Sequence, residues 1–208
     1  MKKLFVLLMV LCASPLWAVD AFNIKEDYQL VEGAKTPAKG SPIIVQEFFS
    51  YGCPWCARLE SSIGPWRQQL PKNVVFSRVP VVFESGWEWY AKAYYIGLAT
   101  NTEASLTPKI FKAVHDDHEK LTSSEAMLKF LIASGIDPAV AKSALTQSVA
   151  IDTELVQGMN WMKNYKVYSV PAIIVAGRYR ADLQLAKGDT DRMLKIVNFL
   201  IEKAEKGA

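Results

Sequence analysis

Two cysteines separated by two residues, Cys53-Pro54-Trp55-Cys56, are the side chains of this 208-residue chain best suited to chemistry. Thiol–disulfide exchange needs one thiol that ionises easily and a second close enough to resolve the mixed disulfide. A strand-like run ends at Ser50-Tyr51-Gly52, just before Cys53. Pro54 suits a first helical turn, where its missing N–H costs no intrahelical bond. Cys53 therefore falls where a helix begins, and the N–H groups and dipole there favour a thiolate and lower its pKa. Cys56 falls one turn on and is expected to face inward, so Cys53 is the exposed sulfur that attacks or is attacked. The competing use of such a pair is zinc, whose closed sites take four ligands. Only His115 and His118 could complete that set. Three apart beside Asp116, Asp117 and Glu119, they read instead as two surface histidines, and no metal is expected.

Residues 1–18 have the make-up of a secretory signal. Lys2 and Lys3 open it, Leu4 to Leu11 is apolar, Pro15 breaks it, and Ala18 suits a cleavage site, with Ala21 a second choice. The apolar run is far shorter than the roughly 20 residues that span a bilayer. Cys12, the third cysteine, would leave with this segment; a lipid anchor there is disfavoured because bulky Leu11 precedes it. The exported chain then keeps only Cys53 and Cys56. A bridge closing so short a loop constrains little of the unfolded chain, so redox use explains the pair better than bracing. Half the residues are hydrophobic and the formal charge is +3. Removing Lys2 and Lys3 leaves 22 basic and 21 acidic residues. That balance, with no basic run interleaved with aromatics, excludes a nucleic-acid partner.

The elements that must hold the pair can be read on either side of it. Residues 19–41, with Gly33, Pro37, Gly40 and Pro42 just beyond, read as extended arm and loop. Ile43-Ile44-Val45-Gln46-Glu47-Phe48-Phe49 has the composition of a buried strand, with one carboxylate, Glu47, inside it. Leu59, Ile63, Trp66 and Leu70 give Ala57 to Leu70 a helical period, with a kink expected at Gly64-Pro65. Asn73 to Phe83 reads as a second strand, at an edge or ended by Pro80. From Ser85 to about Lys166 the pattern is helical, with Asp137-Pro138 an N-cap and first-turn proline and Asp152 to Tyr165 the last long helix. Ala172 to Ala176, a turn at Gly177-Arg178 and Tyr179 to Ala181 read as a hairpin. Thr190 or Asp191 is expected to cap a final amphipathic helix carrying Met193, Ile196, Val197, Leu200 and Ile201. The whole is an α/β layered domain interrupted by a helical one.

Glu47-Phe48-Phe49-Ser50-Tyr51-Gly52-Cys53-Pro54-Trp55-Cys56 and Ser169-Val170-Pro171-Ala172 resemble the thioredoxin superfamily and, within it, the DsbA family of bacterial periplasmic oxidases. The resemblance covers essentially all of the chain after the signal. It implies an α/β thioredoxin fold with an inserted helical domain: signal 1–18, thioredoxin parts 19–84 and 161–208, and helical insertion 85–160. It implies catalysis by Cys53 and Cys56, with Pro54 and Trp55 completing the active-site motif. Pro171 would be cis and face the disulfide, with Val170 offering backbone groups to an extended substrate; from local sequence alone a trans proline opening a strand is the alternative. Glu47 takes the place of a buried acid beneath the cysteines, able to relay a proton; an exposed edge-strand glutamate is the alternative. Arg78 stands where the family has a lysine. That change keeps the charge but not the ability to release a proton, so an ion pair with Glu47 fits as well as a relay. Glu60 matches another acidic position, or is a solvated helix-face residue. The implied partners are reduced exported polypeptides and a DsbB-type quinone-linked membrane oxidase. No cofactor beyond the redox-active disulfide, and a monomer, are expected.

Trp55 departs from the family's best-known members, which have histidine there. Tryptophan cannot carry charge, so a less stabilised thiolate and a weaker oxidant are expected. Two other functions compete with dithiol oxidation. A disulfide isomerase or reductase is one, although residues 19–41 are too short for the dimerisation domain isomerases carry. A non-catalytic peptide-binding chaperone is the other, with Trp87, Trp89, Tyr90, Tyr94 and Tyr95 lining a groove; at helical spacing these aromatics read rather as core.

Overall fold

The computed structural model describes residues 22–207, apart from Lys35, Pro37 and Lys39. The signal-like segment 1–18, with Cys12, lies outside the described residues. The order of elements is β1 (Gln29–Leu30), β2 (Ile43–Phe49), α1 (Pro54–Arg67), β3 (Val74–Pro80), α2 (Trp87–Ala99), α3 (Glu103–His115), α4 (Ser124–Ala133), α5 (Pro138–Gln147), α6 (Val149–Asn164), β4 (Ala172–Val175), β5 (Tyr179–Asp182) and α7 (Thr190–Glu205). The strands form one sheet in the order β1-β5-β4-β2-β3. β2 and β3 run parallel across α1, whereas β4 lies antiparallel to both β2 and β5.

Alternation along β2 divides the core. Ile43 and Val45 face Leu59 and Ile63 of α1 and the apolar stripe of α7. Phe48 faces the other way, onto Val79, Ile174 and the end of α6 around Trp161 and Tyr165. Phe49, at the strand's end, joins Tyr51, Cys53, Cys56 and the buried residues of α2 to α5 in the remaining cluster. That cluster is built largely from the helical block, so the cysteine pair sits where the block meets the sheet. Tyr90, Tyr94 and Tyr95 are buried in it and Trp87 and Trp89 are partly buried, which makes these aromatics core rather than an open groove.

Several boundaries differ from expectation for physical reasons. β1 forms inside the presumed arm, because Gln29 and Leu30 pair antiparallel with Arg180 and Tyr179. α1 stops at Arg67 rather than Leu70; Pro71 disfavours helical backbone at the residue before it. β3 ends at Pro80, although the Val81 N–H still donates to the Phe49 carbonyl at 2.8 Å; β3 is an edge strand, where the N–H that proline lacks would point away from the ladder. Asp137 does cap α5, accepting from the N–H groups of Ala139 and Val140. α6 begins at Val149, earlier than expected, because the Ser148 side chain caps it. α7 is capped by Asp189, not Thr190 or Asp191: its Oδ1 accepts from the N–H groups of Asp191 and Arg192.

Candidate active site

Cys53 is the N-cap of α1, with extended backbone, and Pro54 is the first helical residue. The preceding turn is closed by the Cys53 N–H donating to the Ser50 carbonyl at 3.1 Å and the Gly52 N–H donating to Ser50 Oγ at 3.2 Å. Gly52 must lack a side chain: a Cβ there would stand 2.7 Å from the Trp87 indole and 3.0 Å from Tyr90. Both cysteines are free thiols. Contrary to the expectation of an exposed Cys53, both are covered, Cys53 being only 5% exposed and Cys56 1%. The cover over Cys53 includes the loop before β4. The Val170–Pro171 bond is cis, and the Cys53 thiol donates to the Val170 carbonyl at 3.3 Å. Val170 is partly buried and Pro171 buried.

The two sulfurs differ sharply in acidity. Cys53 is lowered from its ordinary value near 9 to about 7, chiefly because the Cys56 thiol donates to it. The backbone N–H groups of Cys56 and Trp55 add to this, against burial and the charge of Glu47. Cys56 is pushed well up by burial, by its hydrogen bond to Cys53 and by the charges of Cys53 and Glu47. Trp55 is 42% exposed, and the Arg58 guanidinium lies 5.5 Å from its ring.

Beneath the pair lies a buried charge cluster. Glu47 and Arg78 are register partners on adjacent parallel strands, so their side chains emerge on one face. Arg78 Nε donates to Glu47 Oε2 at 2.7 Å and Arg78 Nη2 to Glu60 Oε2 at 2.6 Å. Glu47 is buried in a central strand, so the edge-strand alternative is excluded, and Glu60 is tied to Arg78 rather than free on the helix face. Burial raises the Glu47 pKa, and the charge of Glu60 adds to the rise, overcoming the opposing pull of Arg78. A third carboxylate, Glu103, faces the same guanidinium. Its Oε1 lies 3.6 Å from Nη1, a buried atom without a hydrogen-bond partner.

Glu103, Thr107 and His115 were not legible as site residues. All three come from α3, and their only link to Cys53 is tertiary. Thr107 Oγ1 bonds the Tyr51 hydroxyl at 2.7 Å, and His115 Nε2 bonds the Tyr51 carbonyl at 2.8 Å. His115 is therefore half-buried against the active-site turn rather than a surface residue, while His118 is exposed. Among the described residues no three His, Cys, Asp or Glu side chains are grouped to hold a metal ion.

A covered dithiol of unequal acidity at a helix N-terminus, on a sheet flanked by helices, defines a thiol–disulfide oxidoreductase with a thioredoxin fold. Comparison with known proteins agrees. The chain is 31% identical over 189 residues to the thiol:disulfide interchange protein DsbA of Pseudomonas aeruginosa, covering 91% of this chain and 89% of that one. It is 34% identical over 166 residues to the DsbA of Azotobacter vinelandii, covering 80% and 77%. The crystal structure of Pseudomonas aeruginosa DsbA superimposes with a TM-score of 0.80 over 88% of this chain and 94% of that one. A Proteus DsbA, 17% identical with a TM-score of 0.69, is solved with a non-covalently bound peptide. No family model matches the chain. The chain belongs to the DsbA family of thiol:disulfide interchange proteins.

Proposed function

We propose that this oxidoreductase donates a Cys53–Cys56 disulfide to newly exported proteins. A substrate thiolate attacks Cys53 Sγ, the Cys53–Cys56 bond breaks, and Cys56 leaves as a thiolate that takes up a proton. The substrate's second thiolate then attacks the substrate sulfur of the mixed disulfide, and Cys53 leaves as a thiolate. The substrate loses two electrons and the enzyme gains them as a dithiol. The observation that carries the reading is the inequality of the two thiols. Cys53, lowered to about 7, suits the sulfur that must leave last, and Cys56, pushed up, suits the one that captures a proton.

Glu47 is the proposed source of that proton, because burial raises its pKa and places it among the charges acting on both cysteines. Arg78 holds its charge permanently and orients Glu47 while Glu60 satisfies a second edge of the guanidinium. Val170 and Pro171 are the proposed substrate platform. The Val170 carbonyl already meets Cys53, and the Proteus relative is solved with a non-covalently bound peptide. Residues 1–18 would direct export to the periplasm and be removed. Residues 85–160 would form a helical insertion between thioredoxin parts 19–84 and 161–208. A DsbB-type quinone-linked membrane oxidase would restore the disulfide, and the enzyme would act as a monomer without a further cofactor. Among the described residues no helix is long and apolar enough to cross a membrane.

Equilibration with glutathione buffers tests the donor role. The expected potential is more oxidising than the glutathione couple; one as reducing as that of thioredoxin would overturn disulfide donation. A scrambled-substrate refolding assay beside dithiol oxidation separates isomerase from oxidase.

A further inference from the structure

One face of α3 runs from the charge cluster to the turn that carries the nucleophile. Glu103, Thr107, Phe111 and His115 follow one another at i+4 spacing, which stacks them along one side of a helix. Each of the last three grips a different part of Tyr51. Thr107 bonds its hydroxyl at 2.7 Å, Phe111 packs edge-on against its ring at 5.0 Å, and His115 bonds its carbonyl at 2.8 Å. The Phe111 and His115 rings lie 6.1 Å apart, so the stripe is continuous. Tyr51 is held from hydroxyl to backbone, two residues before Cys53.

We infer that His115 is a positioning residue, whose Nε2–H bond to the Tyr51 carbonyl sets the turn that aims backbone N–H groups at the Cys53 sulfur. The inference rests on the reading that Cys53 is the redox-active thiolate. A carbonyl only accepts, so Nε2 carries the hydrogen. The N–H groups of Trp55 and Cys56 reach the sulfur only while Cys53 keeps its extended N-cap geometry (φ −89, ψ 117), and that geometry follows from the turn. The residue just before Cys53 is already packed by Trp87 and Tyr90 of α2. His115 adds a directional bond one residue earlier, and so makes the acidity of Cys53 depend on the docking of the helical block.

Three variants of the full exported chain test this. In His115→Gln the side-chain amide nitrogen can stand where Nε2 stood; in His115→Asn it falls short; His115→Ala has no donor. The Cys53 thiolate midpoint is read from the pH dependence of its alkylation rate in the reduced protein, with circular dichroism reporting the fold. In the Asn and Ala variants the midpoint should rise and alkylation at pH 6 should fall about fivefold, the factor matching one neutral hydrogen bond of about 1 kcal/mol. His115→Gln should stay within about twofold of the native rate, as should the control His118→Asn. If Ala fails to fold, the Gln–Asn pair decides alone. Native midpoints in all folded variants would overturn the inference, and so would a Gln variant as impaired as Asn. Cys53→Ser is run alongside: dithiol oxidation surviving it would remove the catalytic reading itself, a result distinct from an unmoved midpoint in an enzyme that still requires Cys53.

Discussion

Replacing Trp55 by histidine should make the enzyme more oxidising, by an amount the thiolate midpoint dictates. Position 55 is exposed beside the sulfur, and its present side chain faces Arg58 without carrying charge. With Cys53 at about 7, half of it is ionised at pH 7. Relative to a thiol at 9, ionisation then stabilises the dithiol by only about 0.4 kcal/mol, or roughly 9 mV of potential. The remaining preference is unspent until the pH rises. Histidine can donate an N–H to the thiolate or, when protonated, add a positive charge, although Arg58 nearby opposes the latter. A fall of one unit, from about 7 to about 6, would add about 1 kcal/mol at pH 7 and raise the potential by ~20 mV; each further unit adds ~30 mV. Thiolate absorbance against pH gives the midpoint, and glutathione equilibria followed by tryptophan fluorescence give the potential. The two must move together on this scale. A potential that rises while the midpoint stays, or a midpoint that falls by a unit or more with no change in potential at pH 7, would refute the linkage.

The same thiolate makes the reduced fold sensitive to pH. A depressed folded pKa stabilises above it and is lost as pH falls through it, so the Cys53 contribution to reduced-state stability should grow by about 1.3 kcal/mol from pH 6 to pH 8. Denaturant unfolding of the native dithiol against Cys53→Ser isolates that term, and equal slopes for both would contradict it. Arg78→Met leaves Glu47 buried without its cation and should cost about 3–5 kcal/mol at pH 7. Because Glu47 would then bind its proton even more readily when folded, the loss should narrow as pH falls; a loss equal at pH 8 and pH 5 would exclude this origin. Gly52→Ala drives a methyl into Trp87 and Tyr90 and should cost about 1–3 kcal/mol together with a slower dithiol oxidation. Unchanged melting and rate would show that the turn yields.

Local signals carried the elements that flank the cysteines, because each has a pattern of its own. β2 is a run of β-branched and aromatic residues, and α7 places Met193, Ile196, Val197, Leu200 and Ile201 on one buried face. β1 has no such pattern; two residues become a strand only because β5 offers them an edge. Asp189 outcompeted its neighbours as the α7 cap through the direction of its side chain, which composition does not reveal. The site divides in the same way. The cysteine motif and the odd carboxylate of β2 stand out locally. Glu103, Thr107 and His115 do not, since a glutamate opening a helix, a threonine inside it and a histidine near its end each have an ordinary local explanation.

Arg78 explains why an arginine serves here. Its guanidinium faces Glu47, Glu60 and Glu103 at once, using Nε, Nη2 and Nη1 in turn. A lysine ammonium has no planar fork to distribute over three carboxylates arranged around it. The arrangement sets a constraint on the proposed mechanism. Since Arg78 stays charged, it cannot itself deliver a proton to Cys56, and the proposed relay runs through the carboxyl groups around it. Glu47 is sealed from solvent, whereas the Glu60 and Glu103 side chains keep 25% and 15% of their exposure and line one cleft between α1 and α3, with Gly64, Arg67 and Thr107. Neutralising Glu103 removes one negative charge facing Arg78 and leaves more of the cation to Glu47. Glu103→Gln should therefore lower the Glu47 pKa and, because the protonated acid is the donor, move the alkaline limb of the dithiol-oxidation pH profile downward, while a conservative Glu103→Asp moves it less. A profile unmoved by either change would separate Glu103 from the proton site and leave it only the task of anchoring α3.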